Sequence, residues 1–407
     1  MSKLSHCFAN RFTRAVLACV VLAAATMAVA QPGQLDKTFA NKGIFSDGFS
    51  AGTNVATVVA LQSDGKIVVG GEIGNSGGVI RLNTNGTLDH GFGTGGIVEL
   101  KFRVIDNVVT GMAIQPDGKI LVSGTGIPGG GALDRLNPDG SPDTSFGNSG
   151  SVFLFPMTPG PLVLQPDGKI VVGSATPGSI EGSPVFQMQR FTSDGQLDTT
   201  FGTGGTAPLL NSGAITLQSD GKFLVASLDR YNSNGSLDNT FGAFGQVAVL
   251  AGGSIAVQSD ARIVMAGSIT TKLSTTGNMT GFGLERLNSD GSIDTSFGTR
   301  GIVATNFANA PQTAASSLAI QSNGKIVAAG EAGSNVGNQQ TGSFALARYL
   351  STGKLDTTFG NHGRVTTGFG SGANAAISAI TIQTDGKIVV VGNANGSSWE
   401  VARYLGQ

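Results

Sequence analysis

Seven times along the 407-residue chain the sequence returns to the same three signatures, and a repeat of this length restricts the possible folds more than any other feature. The first is Gln-x-Asp-Gly-Lys, beginning at Gln62, Gln115, Gln165, Gln218, Gln258, Gln321 and Gln383, with Ala261-Arg262 replacing Gly-Lys in the fifth copy and Asn323 replacing Asp in the sixth. The second is an Arg followed by Leu, Tyr or Phe, at Arg81, Arg135, Arg190, Arg230, Arg286, Arg348 and Arg403. The third is Leu-Asp-x-x-Phe-Gly and close variants, with aspartates at Asp36, Asp89, Asp143, Asp198, Asp238, Asp294 and Asp356. These aspartates stand 53, 54, 55, 40, 56 and 62 residues apart, so the units fill the chain from Gln34 to Leu405.

Each unit is written in short β-branched or alternating runs bounded by Asp-Gly and Asn-Gly turns, where glycine supplies the positive φ that a tight hairpin needs. In the second unit the inner strand is read at 111–115, Asp117-Gly118 turns the chain into a strand from Lys119, a third strand covers 132–137, and a fourth stretch runs from Ser141 through Val152. Four antiparallel strands in about 54 residues make a propeller blade. The expected fold is therefore all-β, a seven-bladed propeller of four-stranded blades. The chain opens with a fourth-strand piece, Leu35 to Phe45, and ends on a third strand, Val401 to Leu405, so the N-terminal segment is expected to complete the last blade. A solenoid of the same units would leave sheet edges open at both ends.

Residues 1–30 read as an export signal: Lys3, Arg11 and Arg14 precede an apolar run from Ala15 that ends in Ala28-Val29-Ala30. The run is shorter than the roughly 20 apolar residues a membrane span requires. Cleavage after Ala30 would leave 31–407 as one propeller domain in the periplasm or outside the cell, with no membrane attachment. Cys7 and Cys19 both fall in the leader, so the remainder contains no thiol for a disulfide, a nucleophile or a metal. Only 13 % of residues are charged and the net charge is −1, which argues against a nucleic-acid partner.

The runs Gln115 to Gly124, Arg135 to Gly140 and Leu197 to Gly202 resemble the bacterial delta-60 repeat, over nearly all of Gln34 to Leu405. That resemblance implies a propeller whose function is largely unknown, and it transfers no catalytic residue. Departures at Ala40, Pro142, Ala261 and Asn323 touch turn and packing positions only.

Sixteen of the 20 aspartates belong to the repeated signatures, and a group that recurs in every blade reads as one Arg to Asp contact built seven times rather than as a chemical site. Calcium is the rival reading at Asn137-x-Asp139-Gly-x-x-Asp143 and Asn288-x-Asp290-Gly-x-x-Asp294, although six or more oxygen ligands are wanted and an Asx turn uses the same residues. No cofactor or metal is expected. His90 and His362 read as surface turn residues, no Gly-x-Ser-x-Gly elbow is present, and Gly70-Gly71 and Gly129 to Gly131 read as loop glycines.

What varies is one face. The connections between second and third strands, and from each blade to the next, run from almost nothing at 226–230 to long stretches at 268–283 and 331–343, while the opposite face carries uniform short turns. Variation on a fixed scaffold is where function usually sits. The candidate ligand-binding residues on that face are Glu72, Lys101, Phe102, Arg103, Asp106, Glu181, Lys272, Glu331 and Trp399, the last reading equally well as core. Two functions follow: a non-catalytic monomeric propeller that binds a glycan, small molecule or protein, or an extracytoplasmic hydrolase or lyase on glycans or small esters. The second would bring acids such as Glu72 and Glu331 to within about 5 to 9.5 Å across a pocket.

Overall fold

A strand sandwiched between two others and covered on both faces by neighbouring sheets buries every side chain, so it reads as a continuous apolar run rather than an alternating one. Ile67 to Gly71 is such a run, and all five residues are buried. The computed structural model describes residues 31–49, 51–102, 105–176, 184–211, 213–225, 228–247, 252–273, 277–336 and 339–407; the expected leader, 1–30, lies outside them. The described chain forms seven antiparallel sheets arranged as the blades of a propeller. Blade 1 is typical, with strands A to D at Asn54–Leu61, Ile67–Ile73, Ser76–Leu82 and Ile97–Leu100.

The ring closes as the sequence implies. Ile44–Asp47 pairs with Ser398–Tyr404, Ile44 opposite Ala402 and Asp47 opposite Trp399, so the N-terminal strand is the outer strand of blade 7. Blade 4 departs from the four-stranded expectation. Its strands are Ile215–Leu217, Phe223–Val225 and Asp229–Tyr231, and among the described residues its fourth is represented by a bridge between Asp229 and Gln246.

The cores lie between blades. Val327, Ala329, Phe344 and Leu346 of blade 6 pack on Ile388, Val390, Ala402 and Tyr404 of blade 7, whose other face sets Val389, Val391, Trp399 and Val401 against Ile67, Val69 and Ile80 of blade 1.

The three signatures assemble into one inter-blade clasp, repeated around the ring. In blade 2, Arg135 Nε donates to Asp143 Oδ2 at 2.7 Å, Lys119 Nζ reaches the same oxygen at 3.0 Å, and the guanidinium lies 4.5 Å over the Phe146 ring. Arg135 Nη1 then donates to the carbonyl of Ser193, in the turn of blade 3. Burial alone would raise the Asp143 carboxyl, but hydrogen bonds from Ser145 and Lys119 and the charge of Arg135 hold it well below the usual carboxylate range. The same geometry recurs at Arg81–Asp89, Arg190–Asp198, Arg230–Asp238, Arg286–Asp294, Arg348–Asp356 and Arg403–Asp36, the last joining the two ends of the chain. The signature glycines serve this contact: Gly140 sits at φ +88°, and a Cβ there would lie 2.9 Å from the ring of Phe92 in the preceding blade.

Candidate functional site

Strands A and B, and C and D, are joined on the face that the clasps occupy, so the side chains of that face are committed to holding the ring. His90 is exposed there with Nδ1 3.0 Å from the Gly95 carbonyl oxygen, and His362 is an exposed turn residue at φ +49°. The carboxylate of Asp139 accepts hydrogen bonds from the Ser141 backbone and hydroxyl, and that of Asp143 is held in its clasp. Among the described residues no group of three or more His, Cys, Asp or Glu is placed to hold a metal.

The opposite face is uneven, and its relief differs from what composition suggests. The stretches 268–283 and 331–343, rich in Gly, Ser and Thr, read as loops; they are continuations of the blades. In blade 5, Ile263–Leu273 pairs with Gly277–Leu287 without a register break as far as Leu273 opposite Gly277, and in blade 6 Ile326–Val336 pairs with Gln339–Tyr349 in the same way. Pairing satisfies backbone groups that an irregular loop of this length would leave to water. Each ribbon is also tied to the next blade. Thr280 N donates to the Pro311 carbonyl and Thr313 Oγ1 to the Thr280 carbonyl at 2.8 Å, while Gly342 N donates to the Ala373 carbonyl at 3.0 Å.

Strand B starts five residues after the signature glutamine in blades 4, 5 and 6 alike, at Phe223, Ile263 and Ile326, so all difference in length appears on this face. Blade 4 spends 3 residues on the strand and blades 5 and 6 spend 11. At about 3.3 Å per residue the ribbons have about 26 Å more extended chain than the blade beside them. A polar cleft of about 300 Å³ lies at the base of the blade 6 ribbon, between Ser334, Thr341 and Ser343 of the ribbon, Asn309 before the blade, and Thr366 and Gly372 behind it.

The residues singled out in the sequence are dispersed by the fold. Glu331 is half-buried on the blade 6 ribbon, where burial raises its carboxyl. Glu72 is half-buried at the equivalent place in blade 1, so blade 7 stands between the two acids. Lys101 is exposed just after strand D of blade 1. Two of the nine are core. Phe102 is 2 % exposed and fills a slot that exists because Gly77 and Gly124 have no side chains: a Cβ on Gly124 would lie 1.9 Å from its ring. Trp399 is fully buried, edge-on to Phe49 at 5.4 Å, and its indole Nε1 donates to the Glu72 carbonyl at 2.9 Å, stitching blade 7 to blade 1. Neither presents a surface to a ligand. Arg103 and Glu181 lie outside the described residues. So do the side chains of Asp106 and Lys272, whose backbones belong to strand A of blade 2 and strand B of blade 5.

Asp134, Asp229, Glu285 and Glu400 are buried acids inside strands, outside the clasps and outside the candidate set. Asp134 precedes the clasp arginine of blade 2, as Asp229 and Glu285 do in blades 4 and 5; blade 3 places Gln189 there, and blades 1, 6 and 7 place Ile80, Ala347 and Ala402. Glu400 stands three residues before Arg403, where blades 1, 2, 5 and 6 place Gly78, Ala132, Gly283 and Ala345, and blades 3 and 4 place the neutral Gln187 and Ser227. Burial pushes the Asp134 carboxyl up to about 6, against a hydrogen bond from Ser151, and also raises that of Glu400. The signal was available for Glu400, the one charged residue in a register that otherwise carries Gly, Ala, Ser or Gln.

No curated protein matches the chain. Among solved structures the fold is similar to that of virginiamycin B lyase from Staphylococcus aureus, at 12 % identity over 88 % of this chain and 98 % of that one, with a TM-score of 0.53. The polysaccharide lyase Uly1 aligns at 10 % identity over 89 % of this chain and 92 % of its own, TM-score 0.47. A PL25 ulvan lyase bound to -[GlcA(1-4)Rha3S]- aligns at 14 % identity over 89 % and 96 %, TM-score 0.45. At such identities the likeness is one of fold. In sequence, residues 62–92, 115–146, 165–201, 218–241, 258–297, 321–359 and 383–406, more than half of the chain, match the family described as a domain of unknown function (DUF5122) β-propeller, one segment per blade, and the chain belongs to that family.

Proposed function

We propose that this is an exported, monomeric and non-catalytic binding propeller of delta-60-type repeats, delivered to the periplasm or beyond by residues 1–30. Its partner, a glycan or a protein with a polar surface, would lie over the low rim at blade 4 against the walls raised by blades 5 and 6. The observation that carries this reading is the unevenness itself: blade 4 has 3-residue strands beside 11-residue ribbons, on a scaffold otherwise repeated to within a residue or two. Ribbons tied to their neighbours by backbone hydrogen bonds are held walls, which lowers the ordering cost of binding. Hydroxyls and amides at the base of the blade 6 ribbon suit a partner that offers many hydrogen bonds.

The test is to screen the exported protein against arrayed glycans and envelope proteins, then repeat with the 124–131 hairpin of blade 2 inserted at Ser227. A partner that is lost, by at least about tenfold in affinity, from a variant with an unchanged melting temperature supports the assignment. A partner that tolerates the insertion at full affinity places its site elsewhere. The second reading, an extracytoplasmic hydrolase or lyase, is favoured by the raised carboxyl of Glu331. It predicts substrate turnover that Glu331→Gln abolishes in a folded protein.

A further inference from the structure

A second site, independent of the rim at blade 4, lies where the closing strand meets the hairpin of blade 7. A cleft of about 490 Å³ opens between blades 6 and 7, within the usual range for small-molecule sites. Its walls include Ser46 on the N-terminal strand, Phe369 on the connection from blade 6, and Asn395, Ser397 and Ser398 on the blade 7 hairpin. Glu400 forms the floor, only 2 % exposed. Its Oε1 accepts from the hydroxyls of Ser46 and Ser398, both at 2.8 Å, and its Oε2 has no hydrogen-bond partner among the described residues. No ion pair reaches it among those residues.

A carboxylate removed from water with half its acceptor capacity unused is costly, and a cation that pairs with it offsets that cost. The scaffold does not require an acid here, because the same register carries Gly or Ala in blades 1, 2, 5 and 6 and the neutral Gln187 and Ser227 in blades 3 and 4. Burial raises the carboxyl despite the two serine hydrogen bonds, as expected of an acid with no neighbouring cation. The chemistry of the cleft defines the complement. The protons of Ser46 and Ser398 point to Glu400, so their oxygens are left as acceptors, as is Glu400 Oε2. An acceptor-rich floor wants a donor-rich, positively charged ligand. The Ser398 hydroxyl has an alternative acceptor in the Ala394 carbonyl at 3.5 Å, so its rotation uncovers the carboxylate. Phe369, held 4.6 Å from Phe344, offers an apolar wall for the C–H face of a ring or for a cation.

We propose that the cleft between blades 6 and 7 binds a small hydroxylated amine of the amino-sugar type, its ammonium pairing with Glu400 and its hydroxyls with the serines and Asn395. The probe is glucosamine, titrated into the exported protein at neutral pH by calorimetry and by ligand-observed NMR, with glucose and N-acetylglucosamine as uncharged counterparts. Saturable binding of glucosamine is expected, weakened by at least about tenfold for either counterpart and for Glu400→Gln. Ser397→Phe, which fills the mouth from an exposed position without touching Glu400, gives the same loss and covers the case in which Glu400→Gln does not fold. The proposal is overturned if glucosamine does not bind, if either neutral sugar binds as tightly, or if the folded variants retain full affinity. None of these outcomes depends on what the blade 4 rim holds.

Discussion

Asp134 is a buried acid in strand C of blade 2, 8 % exposed, with Oδ1 lacking a hydrogen-bond partner among the described residues. Its carboxyl moves from the ordinary 3.8 to about 6, a displacement of about two units that corresponds to about 3 kcal/mol at 1.36 kcal/mol per unit. A carboxyl raised on folding binds its proton more tightly in the native state, so stability falls as pH climbs from 3.8 to about 6, and the penalty is complete above that range. Asp134→Asn removes the charge and keeps the shape and the acceptor for Ser151. The variant is expected to be more stable than the parent by up to about 3 kcal/mol at pH 7, with the difference closing to nothing below pH 3.8. Urea denaturation of both proteins at intervals from pH 3 to pH 8 measures this directly. The clasp aspartates run the other way: Asp356, for example, is held down at about 2, so its contribution is present above 3.8 and lost as pH falls through about 2. The parent should therefore be most stable near pH 4. A difference between parent and variant that is flat with pH, or a variant less stable at pH 7, refutes the argument.

Deleting residues 31–46 removes most of the closing strand, the Asp36 partner of Arg403 and the fully buried Phe39, a loss of at least about 6 kcal/mol from cavity and broken ion pair together. An unchanged melting temperature would show that the strand is dispensable. Arg135→Ala leaves Asp143 buried beside Lys119 alone and cuts the tie to Ser193, which should cost about 3 kcal/mol in chemical denaturation. Ligand binding should follow only the folded fraction, and loss of a ligand by fully folded protein would make the clasp a functional group.

The blade and its clasp could be read in the sequence because each is local and written seven times. Arg135 and Asp143 are eight residues apart, and the turn glycines mark where the chain must reverse. The ribbons of blades 5 and 6 could not, since Ser268 to Gly283 has the composition of a loop, and its pairing is supported by contacts of Thr280 with Pro311 and Thr313 in another blade. Phe102 was misjudged for a related reason. Its burial depends on the missing side chains of Gly77 and Gly124, one in each adjoining blade, which no local pattern connects to residue 102. Glu400 shows a different failure. Looking for function only where loops vary assumes that strands are uniform, yet a strand position can be compared across blades as well as a loop can. At the Glu400 position blades 1, 2, 5 and 6 place Gly or Ala and blades 3 and 4 place the neutral Gln187 and Ser227, so the carboxylate of blade 7 is the one residue of that register that brings a charge between sheets. In a symmetric scaffold a buried charge that one blade alone carries, and that no side chain of the protein pairs, therefore points to a partner more directly than an exposed charge, which solvent already satisfies.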